Sequence, residues 1–130
     1  IKSAARIAAG SKEKLSLGVL DIQRDWGWAP EYVEAMWLMM QANAPDDYII
    51  ATGKTVSLTY FVESAFGYFG LKWSDHVTQD NKILRPLDIR ISRGDASKAL
   101  KVLGWKPKSD IDDVVRFMCK DAELKQNISL

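Results

Sequence analysis

The run "RDWGWAPEYVEAMWLMM" at residues 24–40 decides the fold, because it joins a charged, aromatic entrance to a strongly periodic apolar segment. Residues 24–28 read as a loop. Pro30 suits the first turn of a helix, and Glu31 follows it near the positive end of the helix dipole. Apolar residues then recur at i, i+3, i+4 and i+7, namely Val33, Met36, Trp37 and Met40. This spacing predicts a helix over residues 30–42 whose apolar face is buried, since such a stripe is far more often core than a ligand groove.

The segments on either side of this run predict further helices and a few short strands. Helices are expected at residues 2–9, ending at Gly10; from an N-cap at Ser57 to Gly70; from Asp95 to Gly104; and from an N-cap at Ser109 onward. The core stripe of the second of these is Leu58, Phe61, Val62, Ala65, Phe66 and Phe69. The stripe of the last is Ile111, Val114, Val115, Met118 and Ala122.

Strand signals are short and scattered. Period-two alternation at Leu15, Leu17 and Val19 predicts one strand, and "YIIATG" (48–53), "HVTQ" (76–79) and "DIRIS" (88–92) predict others. These strands are too few to make a self-contained doubly wound sheet. The fold class is therefore mixed α/β, mostly helices with a few short strands, in one domain over residues 1–130.

The composition narrows the function classes. The chain has 130 residues, 47% of them hydrophobic and 27% charged, with a net charge of +1 and no block of like charges. This balance argues against nucleic acid or an anionic membrane as the main partner. No secretory signal opens the chain and no apolar run is long enough to cross a bilayer, so we expect a cytoplasmic protein. One cysteine and one histidine exclude an internal disulfide and do not suggest a zinc site.

The residues that catalysis would need are scarce. There is no glycine-rich dinucleotide fingerprint and no P-loop. Tyr68 and Lys72 match the Tyr-x-x-x-Lys spacing of short-chain dehydrogenases, but Gly70 between them is expected to end the helix and separate the pair. His76 is expected on the surface. We therefore assign no catalytic residue and no metal ligand.

Two loop arginines are the strongest candidates for binding. Guanidinium groups bind phosphate oxygens in pairs, so Arg24 and Arg85 together could clamp a diphosphate. The alternative is structural, in which each arginine forms a salt bridge with a nearby aspartate, Asp25 or Asp88. The residues by themselves leave both interpretations open.

A resemblance to a known family changes this balance. "LGVLDIQRDWGWAPEYVEAMWLMMQ", "DDYIIATG", "RPLD" and "GDASKALKVLGWKP" occur in this order with natural spacing. Together they resemble the C-terminal part of GDP-mannose 4,6-dehydratase, an extended short-chain dehydrogenase/reductase, over about residues 1–123. The resemblance implies a nucleotide-sugar-binding portion without its N-terminal Rossmann core. The chain's start at Ile1, in a helix already under way, would agree with a missing upstream part; processing or trimming would also explain it.

The resemblance also implies an activity for the whole enzyme. It would convert GDP-mannose to GDP-4-keto-6-deoxymannose and water with NADP, in GDP-fucose biosynthesis. The catalytic and cofactor-binding motifs of the family precede the matching region. This chain alone is therefore expected to bind no cofactor and to be inactive.

The family's substrate contacts carry over to five positions. Arg24 and Arg85 would contact the diphosphate, Asp88 a ribose hydroxyl, and Gly18 and Val19 would lie in a strand beside the nucleotide. Trp26 and Trp28 would wall the loop after Arg24.

Three positions depart from the family pattern. Val19 stands where asparagine is common, Ile83 where tyrosine is, and Arg90 where aspartate is. A portion of a related nucleotide-sugar epimerase or dehydratase is therefore an alternative.

Two expectations concern partners. By resemblance, residues 24–53 would pack on the Rossmann domain, so the isolated chain should form homo-oligomers or be only marginally stable. A different class of function remains open: a non-catalytic helical module that uses its five tryptophans to bind a protein.

Overall fold

The computed structural model describes residues 1–80, 82 and 89–128. Its helices are α1 (Lys2–Ala8), α2 (Ala29–Met40), α3 (Leu58–Tyr68), α4 (Ser97–Leu103) and α5 (Ile111–Ile128), with a 3-10 turn at Trp73–Asp75. Its strands are β1 (Leu15–Leu17), β2 (Gln23–Arg24), β3 (Val56–Ser57), β4 (Val77–Gln79) and β5 (Ile91–Ser92). The mixed α/β class, mostly helices with short strands, is confirmed. None of the described helices is long and apolar enough to cross a membrane.

The strands form two small sheets among the described residues. Strands β1 and β4 pair in parallel, with Leu15 opposite Val77. Strand β2 is the centre of the other sheet, antiparallel to β3 and parallel to β5. Both sheets join residues far apart in sequence. Each strand is only two or three residues long, and sheets this small depend on packing against the helices around them.

The main core lies among α1, α3 and α5. Ala4 and Ile7 of α1 pack against Val62 and Phe66 of α3. On the other side of α3, Ala65 packs against Val115 and Cys119 of α5. The buried face predicted for α3 is therefore confirmed. On α5 the prediction is correct for Val114, Val115 and Ala122 but wrong for Met118, which is 39% exposed, because Cys119 takes the buried position.

The apolar stripe of helix α2, which the sequence predicts to be buried, is exposed. Val33, Met36, Trp37 and Met40 are 61%, 58%, 60% and 80% exposed. The helix packs instead through Ala35, which is fully buried against Ala99 and Trp105. The prediction of a buried stripe is therefore wrong for this chain, because no described residue covers that face.

The segment "YIIATG" is not a strand, which corrects a second prediction. Tyr48 and Ile50 pack toward the α2–α4 cluster, whereas Ile49 between them is 57% exposed. The side chains thus alternate as in a strand. The described residues provide no neighbouring strand for a backbone ladder.

The helix caps are partly as predicted. Ser57 accepts a hydrogen bond from the Tyr60 amide at 3.1 Å, and Gly104 ends α4 with φ of 68°. Glycine takes this left-handed conformation without the steric cost that other residues have. Ser109 does not cap α5. Asp110 does so, because its carboxylate accepts from the Asp113 amide at 3.0 Å.

Candidate functional site

Arg24 lies on the central strand of the three-stranded sheet rather than in the predicted loop. Its backbone is opposite Val56 on one side and Ser92 on the other. The side chain is half-buried, and its Nη1 donates to the carbonyl oxygens of Gln23 at 2.8 Å and Ile89 at 2.6 Å. These contacts fix the guanidinium at the end of β2, close to where the described chain resumes at residue 89.

Asp25 ties together three separate loops. One carboxylate oxygen accepts from the Thr52 amide at 2.9 Å and from the Thr52 hydroxyl at 2.6 Å. The other accepts from the amides of Gly53 at 2.8 Å and Gly94 at 3.3 Å. Both oxygens are therefore used to organise the backbone around β2. The sequence pointed to Asp25 only as a salt-bridge partner for Arg24.

Gly18 and Val19 follow β1 and are not part of it. The strand ends at Leu17, whose carbonyl accepts from the Asp80 amide at 2.8 Å, and the chain then bends. The prediction that these two residues lie in a strand is therefore wrong. Their segment is instead fixed at the start of α3, because the Leu20 carbonyl accepts from the amide and the hydroxyl of Thr59 at 3.0 and 3.1 Å.

The other two candidate residues, Arg85 and Asp88, lie outside the described residues, as does Ile83. The diphosphate clamp by Arg24 with Arg85, the ribose contact of Asp88 and a structural Arg24–Asp88 pair all stay predictions. Arg24, Gly18 and Val19 are the candidate residues with a described position. Arg24 pairs with Val56, two residues before α3, and the segment that follows Gly18 and Val19 bonds to Thr59 in α3.

The two entrance tryptophans anchor the loop between β2 and α2. Trp26 packs edge-on against Phe61 of α3, with ring centroids 4.6 Å apart. Trp28 packs at a tilt against Phe117 of α5 at 5.0 Å. Such aromatic pairs add to the stability that burial provides. The loop that follows Arg24 is thereby attached to the main core.

A second anchor, missed by the sequence analysis, is Glu31. Its buried carboxylate accepts from the amide of Lys108 at 3.0 Å and from the hydroxyl of Ser109 at 2.5 Å. Its backbone carbonyl accepts from the indole nitrogen of Trp105 at 2.9 Å. Glu31 thus joins the first turn of α2 to the turn before α5. The only sequence signal for it was its place in the helix's first turn.

Tyr68 and Lys72 do not form the catalytic pair that their spacing suggests. Helix α3 ends at Tyr68, so Lys72 lies beyond the helix and the Tyr-x-x-x-Lys match is not a helical pair. The Tyr68 hydroxyl donates to Glu123 at 3.0 Å, and this bond raises the pKa of Tyr68. A dehydrogenase tyrosine would need the opposite shift.

His76 and Cys119 have no arrangement for catalysis. His76 is half-buried and stacks on Phe66 with ring centroids 5.9 Å apart, so the prediction of a simple surface residue is wrong. Burial raises the pKa of the Cys119 thiol to about 11, which leaves it protonated and unreactive at neutral pH. The described residues contain no group of three or more acidic, histidine or cysteine side chains that could hold a metal.

Two clefts differ in their relation to these residues. A cleft of about 480 Å³ is lined by the three residues that donate to Asp25, Thr52, Gly53 and Gly94, and also by Arg93 and Lys106, among others. A larger apolar groove of about 880 Å³ runs between α1 and α5. The three candidate residues with a described position, Gly18, Val19 and Arg24, do not line that groove, so its size does not identify it as the site.

Comparison with known proteins identifies the family. The family model described as GDP-mannose 4,6 dehydratase matches residues 1–118. GDP-mannose 4,6 dehydratase 1 of Arabidopsis thaliana is 46% identical over 95% of this chain and 34% of its own length. The human GDP-mannose 4,6 dehydratase is 42% identical over 95% of this chain and 38% of its own length. The chain therefore spans a little over a third of the curated relatives that it matches.

Solved structures share the fold at lower identity. The protein RMD of Pseudomonas aeruginosa, complexed with NADPH, has a TM-score of 0.84 at 21% identity and matches 95% of this chain and 41% of its own. The dTDP-glucose 4,6-dehydratase of Bacillus anthracis, in complex with NAD, has a TM-score of 0.79 at 16% identity and matches 96% of this chain and 38% of its own. With the family-model match and the sequence identity to these relatives, the chain belongs to the GDP-mannose 4,6-dehydratase family.

Proposed function

We propose that this chain is the nucleotide-sugar-binding portion of a GDP-mannose 4,6-dehydratase. The observation that carries the proposal is Arg24, fixed on the central strand of its sheet with its guanidinium held by the carbonyls of Gln23 and Ile89. An arginine held this way is already ordered before a ligand binds. Family membership supports GDP-mannose as the substrate.

The proposed roles follow the chemistry of each group. Arg24 and Arg85 bind the diphosphate, since the planar guanidinium donates to two oxygens at once. The Asp88 carboxylate accepts from a ribose hydroxyl. Gly18 and Val19 place backbone beside the nucleotide, where the bend after β1 brings the chain to the start of α3.

The described residues do not fit a nicotinamide dinucleotide. Binding its pyrophosphate takes a strand, a glycine-rich turn and a helix N-terminus in succession. Here β1 leads through a bend into β2, and the glycines with positive φ, Gly10, Gly53, Gly70 and Gly104, lie at four separate turns. We therefore propose that NADP binds to an N-terminal Rossmann domain of the whole enzyme, and that this chain alone is not an active lyase.

Calorimetric titration with GDP-mannose, with UDP-glucose as the control ligand, tests the substrate assignment. We expect selective binding of GDP-mannose, lost in Arg24→Ala. The matched control is Arg6→Ala, because Arg6 lies on α1 and forms an exposed pair with Glu13. Binding that is unchanged in folded Arg24→Ala would contradict the proposal.

The exposed stripe on α2 supports a second part of the proposal, that residues 24–53 pack on that Rossmann domain. The stripe holds two methionines, a valine and a tryptophan that are each more than half exposed, and Ile49, in the same range of residues, is also more than half exposed. Contiguous apolar surface of this kind marks an interface. Adding the N-terminal half of the human relative should shift the tryptophan fluorescence to shorter wavelength, and the shift should be smaller in Trp37→Phe, which leaves the other four tryptophans in place. No shift at all in a complex that binds GDP-mannose would contradict this packing.

In the absence of that domain, the same surface should drive self-association. We expect the isolated chain to form homo-oligomers at neutral pH and physiological salt, and light scattering measures their molar mass. Met36→Lys, in the middle of the stripe, should yield the monomer, whereas Lys120→Met on α5 should not. A wild-type chain that is monomeric at high concentration would contradict this expectation.

The stripe also favours one other function, a non-catalytic module that binds a protein through Trp37 and its neighbours. GDP distinguishes the two functions. A nucleotide-sugar site predicts that GDP protects residues near Arg24 from hydrogen exchange. A protein-binding module predicts no response to GDP.

A further inference from the structure

The carboxylate of Asp25 has an unusual number of donors for one residue on a half-exposed loop. It accepts four hydrogen bonds, three from backbone amides and one from a hydroxyl, all between 2.6 and 3.3 Å. The donors belong to Thr52, Gly53 and Gly94, which are 27, 28 and 69 residues away in sequence. A carboxylate with this many donors is rigidly placed, because moving it would leave several N–H groups without a partner.

The same three loops hold the arginine next to it. The Asp25 amide donates to the Ser92 carbonyl at 3.0 Å, and the Gln23 amide donates to the Arg90 carbonyl at 2.7 Å. Strand β5 is thereby attached to β2 on both sides of Arg24. The Ile89 carbonyl, which receives the Arg24 guanidinium at 2.6 Å, comes two residues before β5. The position of that carbonyl is therefore set by how β5 is held against β2.

Gly94 closes this arrangement. It follows β5 by two residues and donates to Asp25, and a Cβ at Gly94 would collide with the Cβ of Ala51. The backbone can approach the 51–53 segment this closely only because residue 94 has no side chain. Asp25 thus lies at the point where both flanks of the Arg24 strand are joined.

We propose that Asp25 is the positioning residue for Arg24, orienting its guanidinium toward a nucleoside diphosphate. This inference rests on the proposed function, since it assigns to Arg24 the diphosphate contact. Asp25 itself does not touch the ligand. It acts by fixing the 52–53 and 94 loops, and through them β5 and the Ile89 carbonyl.

The test measures how much the diphosphate contributes to binding, as the ratio of the dissociation constants of guanosine and GDP. Asp25→Asn keeps the shape but turns one acceptor oxygen into an NH₂ group that faces N–H donors. We expect the ratio to fall about tenfold, the effect of losing one hydrogen bond to a charged group. Guanosine affinity should stay within about twofold. Asp121→Asn, which removes a carboxylate from an exposed pair with Lys125, is the control.

A second readout is independent of the ligand. The guanidinium N–H signals of Arg24 in a ¹H–¹⁵N spectrum should broaden or shift in Asp25→Asn and, less strongly, in Thr52→Val, which removes one of the four donors. A residue that merely stabilises the fold would lower the melting temperature and leave both the ratio and the Arg24 signals of the folded state unchanged. That result would overturn the proposal. If Asp25→Asn does not fold, the same comparison is made with Thr52→Val.

The outcomes separate the inference from the function on which it rests. If Arg24→Ala leaves the guanosine-to-GDP ratio unchanged, or the wild-type chain does not bind GDP, the assignment of the diphosphate to Arg24 fails. The Arg24 signals still decide whether Asp25 orients the side chain. If the signals respond to Asp25→Asn but the ratio does not, Asp25 positions Arg24 for something other than a diphosphate, and the proposal is overturned in that form.

Discussion

Helices α2 and α3 have apolar stripes of the same periodicity and opposite surroundings. On α3, Val62, Ala65 and Phe66 are at most 6% exposed, because α1 and α5 cover the helix from two sides. On α2, Trp37 is 60% exposed, and the helix is held by its opposite face. The difference shows that periodicity identifies the residues that share a face, while only a neighbouring element decides whether that face is buried.

The largest expected difference between the two helices comes from removing one aromatic ring from each. Phe66→Ala should lower the free energy of unfolding by about 3–5 kcal/mol, because a buried ring leaves a cavity that the core cannot fill. Trp37→Ala, the matched change on α2, should cost less than about 1 kcal/mol in the monomer. Urea denaturation measures both. Equal losses would mean that the α2 stripe is covered in solution.

Adding a methyl group at Gly94 or at Gly67 compares a tightly packed glycine with an exposed glycine on α3. Gly94→Ala should lower the free energy of unfolding by about 1–3 kcal/mol, because its Cβ overlaps that of Ala51. Gly67→Ala has open space around the new Cβ, and on an exposed helix position it should be neutral or stabilise by up to about 1 kcal/mol. Thermal melts compare the two. If both are neutral, the 94 loop is held less tightly than described.

Two glutamates one turn apart on α2 test which of its contacts matter. Glu31→Gln should cost about 1–3 kcal/mol, since a buried carboxylate with backbone partners is replaced by a group that cannot accept from all of them. Glu34→Gln breaks an exposed salt bridge with Lys108 at 2.8 Å and should cost less than about 1 kcal/mol. Chemical denaturation of both variants is the measurement. A larger loss for Glu34→Gln would contradict the Glu31 anchor.

The smallest effect at neutral pH concerns Cys119 in the α3–α5 core. Its folded-state pKa is raised to about 11 from 9.0, so the thiol ionises in the unfolded chain first. The resulting stability is fully present below pH 9 and is lost as the pH rises from 9 to 11. The stability advantage of wild type over Cys119→Ala should therefore shrink across that window in urea titrations. A constant advantage would show that the thiol is not protected.

The predictions from sequence succeeded where the signal is local. The cap at Ser57 and the end of α4 at Gly104 each depend on residues within one turn, and so does the set of apolar residues that share one face of α3. Predictions that required a partner element were less successful. "YIIATG" has strand-like alternation and no described strand beside it. Ser109 is a residue type that often caps a helix, but its hydroxyl donates to Glu31 instead.

The candidate site divides in the same way. Arg24 was found because an arginine before a helix, in a family motif, is an anion-binding signal that can be read along the chain. The role of Asp25 could not be found, since its donors come from positions 52, 53 and 94. Nothing in the spacing of those residues shows that they meet.

The amino-acid sequence by itself determined the family, the mixed α/β class, the helices, the cap at Ser57, the end of α4 at Gly104, and Arg24 as a candidate contact. The tertiary structure decided which apolar faces are covered, that Glu31 and Asp25 hold distant loops, and that Gly18 and Val19 follow a strand rather than form one. The physical reason is the range of the interactions. Helix propensity, capping and periodicity act within a few residues, whereas burial and buried hydrogen bonds depend on contacts between segments that only the folded chain brings together.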